Sequence, residues 1–168
     1  MDSLSILLVF CKYIFYKICY NAAVQTLRKI ECRSACPIAN ALDVLGDRWT
    51  LLVIRDLMFM GKHEYHEFIK GPEGIATNIL SNRLKRLVDT GLVDDRPHSS
   101  HKLKKLYYLT QKGKDLMPLI VEMIIWGGTH RASPEMPKAH FNRIKRDPEM
   151  FMQSALKALR AWERKNIR

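Results

Sequence analysis

One stretch limits the possible folds more than any other: Thr77–Thr90, TNILSNRLKRLVDT. Wound as an α-helix, it gathers Leu80, Leu84, Leu87 and Val88 on one face, because residues three, four and seven apart stack along the helix. The opposite face carries Asn78, Asn82 and Lys85, with Thr77 and Ser81 at its N-terminal edge. Amides, hydroxyls and an ammonium group are the chemistry that meets base edges and phosphates in a DNA major groove. The stretch therefore reads as a recognition helix, anchored by leucines and exposing short polar side chains.

The flanks supply the context such a helix needs. Glu64–Ile69 has the pattern of a short helix presenting Tyr65, Phe68 and Ile69 inward, and the GPEG run Gly71–Gly74 is a turn, with Ile75 closing the corner. Gly91 suits a left-handed helix cap, since it has no Cβ. Two helices around a glycine-bearing turn make a helix-turn-helix candidate. Next, Leu92–Arg96 and Lys105–Leu109 have strand composition, and the stretch joining them carries Arg96, Lys102, Lys104 and Lys105 with no acid. A basic β-ribbon directly after a recognition helix is the wing of a winged helix. Lys102 and Lys104 would meet phosphates or the neighbouring minor groove, with Arg96 and Lys105 near the backbone. A plain solvent-exposed hairpin is the competing reading and ranks behind it.

Charge is distributed to match. The 168-residue chain has a formal net charge of +11, and residues 80–115 hold nine Lys or Arg against four Asp, whereas residues 34–79 hold four basic and six acidic side chains. A net positive chain favours a polyanionic partner, nucleic acid or an anionic membrane surface, and the clustering around the helix and hairpin favours nucleic acid. The four cysteines form no paired motif, which points to a reducing cytoplasm rather than a disulfide framework. Cys32 and Cys36 make a lone C-x3-C without a second pair, so no metal site is expected, and His63, His66, His98 and His101 read as ordinary exposed histidines. No glycine-rich phosphate loop, nucleophile–base pair or apolar carboxylate pair suggests an enzyme, and no cofactor is implied.

Outside this centre, Pro37 suits a first helical turn and Ile38, Leu42 and Leu45 share a face before Gly46. Asp47 is placed to cap a second helix with Trp49, Leu52, Val53 and Leu57 as its core stripe. Thr110 opens a helix to about Trp126 with Pro118 kinking it, Gly127-Gly128 stops it, and Ser133–Pro137 is a linker. The apolar surface of that helix exceeds what a small winged domain covers and suggests dimerisation. Asp147-Pro148 starts a basic helix ending near Asn166, with Phe151, Ala155, Ala158, Leu159 and Trp162 as its stripe; it either packs on a dimer or adds DNA-backbone contacts. Leu4–Tyr20 is nearly continuous apolar sequence, but Lys12 at its centre would cost roughly 2.5–3.5 kcal/mol in a membrane. Its amphipathic pattern fits a helix packed on protein before one lying on a membrane surface, and a translation start further in, near Val24 or Leu27, is a third reading.

CPIANALDVLGDRWTLLVIRDL (Cys36–Leu57), EGIATNILSNRLKRLVDTGLV (Glu73–Val93), YYLTQKG (Tyr107–Gly113) and Trp126-Gly127 together resemble HxlR-type winged-helix transcriptional regulators over roughly residues 34–130. The resemblance implies a dimeric bacterial or archaeal regulator, dimerised through helices at both ends of the domain, with Ala76–Thr90 as recognition helix and Val93–Leu109 as wing. Where many members open the recognition helix with Ser, this chain has Ala76, which leaves Thr77 as the nearest N-cap. The wing strand Lys104-Lys105-Leu106-Tyr107-Tyr108 also departs from the family pattern. Cys36 matches a cysteine with which several members sense oxidants or electrophiles, and its place ahead of Pro37 at a helix N-terminus would favour the thiolate; a small buried apolar residue is the alternative.

The expectation is thus a mainly α protein with a small β-hairpin wing. It comprises an N-terminal amphipathic extension (1–33), a winged helix-turn-helix domain (34–130), and a linker with a basic C-terminal helix (131–168). Its partners would be a pseudo-palindromic double-stranded DNA operator and a second copy of the chain. A winged helix serving as a protein-interaction module, or a membrane-surface protein built on residues 4–20, are the rivals.

Overall fold

In a computed structural model the described residues are 34–98, 104–131 and 136–167. The apolar segment 4–20, Cys32, His101 and Lys102 lie outside them. The chain divides into two compact units, with the boundary between Gly46 and Asp47.

In the first unit, helix α1 (Pro37–Leu45) begins at proline, whose missing N–H would have had no helical acceptor anyway. Cys36 is its N-cap and donates its N–H to Ser34 Oγ at 3.0 Å, while the Asn40 amide donates to the Ser34 carbonyl at 2.8 Å. Ile38 and Leu42, expected on one helical face, are 71% and 59% exposed, and Leu45 is buried.

The second unit starts with α2 (Arg48–Phe59). As expected, Asp47 caps it, Oδ1 accepting the N–H groups of Trp49 and Thr50 at 3.0 Å each. The buried face is rotated from the expected stripe: Val53 and Leu57 are joined by Ile54 and Met58, while Trp49 and Leu52 are only half-buried. Gly61 turns the chain at φ +62° into the short helix α3 (Tyr65–Ile69). There Phe68 alone is fully buried, and Tyr65 and Ile69, expected inward, are half-buried. Helix α4 (Thr77–Asp89) follows the turn at Gly74, and Gly91 closes it at φ +69°. Leu80, Leu84 and Leu87 are between 0 and 2% exposed, each contributing about 1.5–3 kcal/mol through burial.

Strands β1 (Val93–Pro97) and β2 (Lys105–Leu109) pair antiparallel in the register Val93↔Leu109 to Pro97↔Lys105, so β1 lies one residue later than expected. Two N–H···O contacts extend the hairpin: Tyr107 N–H donates to the His63 carbonyl, and His98 N–H to the Lys104 carbonyl, each at 2.8 Å. Thr110 then caps a single turn, α5 (Gln111–Lys114), its hydroxyl accepting the Gly113 N–H at 3.2 Å.

The chain corrects three expectations after this point. Instead of one helix kinked at Pro118, the chain breaks at Asp115-Leu116 and restarts as α6 (Met117–His130). Pro118 thus sits in the first turn, where its missing N–H costs no helical bond. Gly127-Gly128 does not end α6; both are helical, and the ring of Phe141 lies where a Cβ on Gly128 would fall. Phe141 belongs to α7 (Lys138–Arg146), a helix not expected from the sequence, which anchors itself through buried Ile144. The Asp147-Pro148 start holds: Asp147 caps α8 (Pro148–Asn166), Oδ1 accepting the Met150 N–H at 2.9 Å. Leu159 is buried and Phe151, Ala155 and Trp162 are half-buried, but Ala158 faces solvent. The result is the expected class, mainly helical with a two-stranded antiparallel hairpin after the second helix of a helix-turn-helix.

Candidate nucleic-acid interface

The polar residues singled out on α4 are all exposed: Thr77, Asn78, Ser81, Asn82 and Lys85. Their helix is held from beneath and from the side. Tyr65 on α3 donates its hydroxyl to the Thr77 carbonyl at 2.8 Å and lies 3.0 Å from Ser81 Oγ. Midway along, the Arg83 guanidinium grips the α2 cap, with Nε 2.7 Å from Asp47 Oδ1 and Nη2 3.0 Å from Oδ2. That guanidinium holds the Asp47 carboxyl below its ordinary range, against the opposing effect of burial. At the C-terminal end Lys112 of α5 donates to the Thr90 carbonyl at 2.8 Å. Fastened to α3, to the α2 cap and to α5, the helix presents its exposed side chains from a fixed backbone.

Thr77 does not cap the helix. It is the first helical residue, and Ala76 occupies the N-cap with no side-chain acceptor. Asn78 Oδ1 takes up one of the orphaned donors, the Ile79 N–H at 2.9 Å. Asn82 Oδ1 accepts from Arg83 Nη1 at 2.9 Å, and Lys85 pairs with Asp89 at 2.9 Å in an exposed i,i+4 contact of small energetic weight.

The turn ahead of α4 is fixed by charge. Arg55 of α2 reaches Glu73 at 2.5 Å and Asp56 at 2.6 Å, and Lys62 meets the other Asp56 oxygen at 2.6 Å. The Arg55 hydrogen bond keeps the Glu73 carboxyl below its ordinary range. Asp56 is buried, and its two cations supply the partners that a buried carboxylate needs.

On the hairpin, Lys104 and Lys105 are exposed. Lys104 Nζ lies 3.6 Å from Glu64, and Lys105 Nζ lies 2.8 Å from Asp95. Arg96 differs from both: half-buried, it donates to the Ile167 carbonyl beyond α8. An open groove of about 250 Å³ runs between α4 and the hairpin, with Ser81 and Lys85 on one wall and Lys105 and Tyr107 on the other. Cys36, in the first unit, is exposed with a free thiol.

His63 corrects the expectation of an ordinary exposed histidine. It is 5% exposed, with its ring stacked on Trp162 of α8 at 3.4 Å and 12°, and Nδ1 is 2.9 Å from the Tyr107 carbonyl. Burial pushes its pKa down, against the effect of that carbonyl. Tyr65, Arg83 and His63 are the positioning residues the sequence did not mark. Tyr65 reaches α4 from α3 and Arg83 ties α4 to the α2 cap, and only these three-dimensional partners show what they do.

Among the described residues, no group of His, Cys, Asp and Glu could hold a metal, and no helix is long and apolar enough to cross a membrane.

Comparison with known proteins matches the same region. The model of the HxlR-like helix-turn-helix family matches residues 44–135, more than half of the chain. An uncharacterized HTH-type transcriptional regulator of Mycobacterium tuberculosis is 38% identical over 100 residues, 60% of this chain and 62% of that protein. The chain thus spans less than two thirds of the length of that curated relative. Among solved structures, PA1607, assigned as a transcription factor, is similar at a TM-score of 0.55 and 39% identity, covering 62% of this chain and 72% of that one. The redox regulator HypR in its oxidized form is similar at a TM-score of 0.52 and 29% identity, covering 58% of this chain and all of that one.

Proposed function

Because the chain belongs to the HxlR-like helix-turn-helix family, whose matched relatives are transcriptional regulators and not enzymes, we propose that it binds a specific DNA operator as a homodimer. The observation that carries this reading is α4, with leucines buried to 2% or less beneath an exposed row of Thr77, Asn78, Ser81, Asn82 and Lys85. Asn78 and Asn82 are the base readers, since amides can pair bidentately with adenine. Thr77, Ser81 and Lys85 hold phosphate and register. Lys102, Lys104 and Lys105 add wing contacts to the backbone, and Arg96 reaches a phosphate only by releasing the Ile167 carbonyl.

Dimerisation is supported by α6, where Leu119, Met123 and Trp126 stand at i, i+4 and i+7 and are 44%, 47% and 63% exposed. An apolar stripe of this kind on a helix at the edge of a winged domain is suited to a two-fold contact, and a two-fold dimer requires a pseudo-palindromic site. Footprinting on the DNA upstream of the gene tests the reading directly. Protection should cover two half-sites about one helical turn, or a multiple, apart, and Asn78→Ala should relax the sequence preference within each. Uniform protection, or none, would refute it.

A thiol switch is a second reading, favoured by the exposed free thiol of Cys36 at the start of α1 and by the likeness to a redox regulator. Two thiols, Cys36 with Cys32 or with Cys36 of the partner subunit, would lose their protons and two electrons to an oxidant such as diamide and form a disulfide. DNA release on diamide treatment that persists in Cys36→Ser would end this reading.

A further inference from the structure

Helix α8 lies outside the residues that match the family, yet the hairpin is tied to it. Trp162 stacks on His63, which holds the β2 carbonyl of Tyr107; Lys114 Nζ is 2.6 Å from Glu163; and Arg96 of β1 donates to the Ile167 carbonyl. Between the last turns of α8 and the root of the hairpin opens a cleft of about 480 Å³. That volume lies within the range of small-molecule clefts.

The walls are mixed in a particular way. Tyr108, Leu109 and Ile167 supply apolar surface, Arg160, Arg164 and Lys114 supply positive charge, and Glu163, whose carboxylate is paired to Lys114, is the acid among them. Lys114 is satisfied by Glu163, and the Tyr108 hydroxyl by Asp94 at 2.9 Å. Arg160 and Arg164 are exposed one helical turn apart, and among the described residues no carboxylate pairs with either. Like charges at i,i+4 repel, and two guanidinium forks beside an apolar wall match a carboxylate carried on a hydrocarbon body.

We propose that this cleft binds a small organic monocarboxylate with an aromatic or aliphatic body. Its carboxylate meets Arg160 and Arg164, and its body lies against Tyr108, Leu109 and Ile167. Because Leu109 ends β2 at the root of the hairpin and Ile167 receives Arg96 from the far end of β1, occupancy bears on both strands. The site is therefore positioned to alter how the wing meets DNA, a consequence that rests on the DNA-binding reading, whereas binding of the acid does not.

The test uses the full chain and three acids, benzoate, 1-naphthoate and octanoate, with 1-naphthalenemethanol as the neutral match for the second. Calorimetric titration should show saturable one-to-one binding of at least one acid, with 1-naphthoate about tenfold tighter than the alcohol. Arg160→Gln/Arg164→Gln should weaken it by about tenfold, with the thermal unfolding midpoint kept. Gln111→Glu, which adds a second carboxylate to the cleft wall, one without a lysine partner, should weaken it as well. Saturable binding of none of the acids, equal binding of acid and alcohol, or affinities unchanged in both variants would overturn the site. Loss of DNA affinity in the double variant without loss of acid binding would make the two arginines phosphate contacts instead. DNA titrations with and without the acid complete the experiment. An acid that binds while leaving DNA affinity unmoved removes the coupling to the wing, and a chain that binds no DNA in the absence of acid removes the DNA-binding reading while the acid titration stands.

Discussion

Replacing Asp47 with alanine removes two contacts from one carboxylate. The first is the α2 cap, where Oδ1 accepts the Trp49 and Thr50 N–H groups. Losing such a cap costs about 1 kcal/mol. The second is the clamp from Arg83, whose side chain is 24% exposed against 33% for Asp47. Partial exposure limits that pair to about 0.5–1 kcal/mol. Asp47→Ala should therefore lower the unfolding free energy by about 1.5–2 kcal/mol in urea at pH 7. Asp47→Asn keeps a competent cap and should lose only the ion pair, about 0.5–1 kcal/mol, as should Arg83→Gln. Combining Asp47→Ala with Arg83→Gln should cost no more than Asp47→Ala alone, because the partners share one interaction. The pair is fully formed at pH 7: a carboxyl held below its ordinary pKa contributes stability above that pKa and loses it only as pH falls through the lowered value. An alanine variant within about 0.5 kcal/mol of the parent, or an asparagine variant as damaged as alanine, would refute the assignment of both roles to this side chain.

The two glycines of α6 should respond in opposite ways. Nothing lies within 4 Å of a Cβ built on Gly127, so Gly127→Ala should stabilise by up to about 1 kcal/mol, whereas Gly128→Ala drives into the Phe141 ring and should cost about 1–3 kcal/mol in thermal unfolding. His63 should give a pH signature. Its folded pKa is lowered chiefly by burial, so the unfolded chain takes up a proton below about pH 6.5 that the folded one resists, and stability falls across the window just below that value. The lowered carboxyls of Asp47, Glu67 and Glu73 act below that window, so His63→Phe should flatten the upper part of the profile alone. Trp126→Glu, at the most exposed position of the α6 stripe, should shift the species seen by light scattering from dimer to monomer with the fold retained; a dimer that survives it would move the interface elsewhere.

Much of the fold was legible because local rules and tertiary packing agree. The leucine spacing of α4, the Asp47 cap, the glycine at Gly91 and the Asp147-Pro148 start each depend on chemistry within a turn of the chain. What was not legible depends on distant partners. His63 is buried because Trp162, far along the chain, stacks on it, and Gly128 lies inside α6 with the Phe141 ring packed against its bare backbone. The break before α6 shows proline chemistry overriding an apolar periodicity that continues smoothly through it. At the candidate interface, the outer face of α4 followed from spacing, but its fixing by Tyr65 and Arg83 did not, since neither residue's partner is within reach along the sequence.

The central claim is most directly tested by the salt dependence of binding to the DNA upstream of the gene, followed by fluorescence anisotropy. Each phosphate neutralised by a lysine or arginine should contribute about −0.9 to the slope of log K against log salt, so affinity falls steeply. Lys102→Ala should make the slope shallower by about 1, while Asn78→Ala leaves the slope and narrows the gap between specific and non-specific duplexes. An affinity indifferent to salt, or equal for every duplex, would contradict the account.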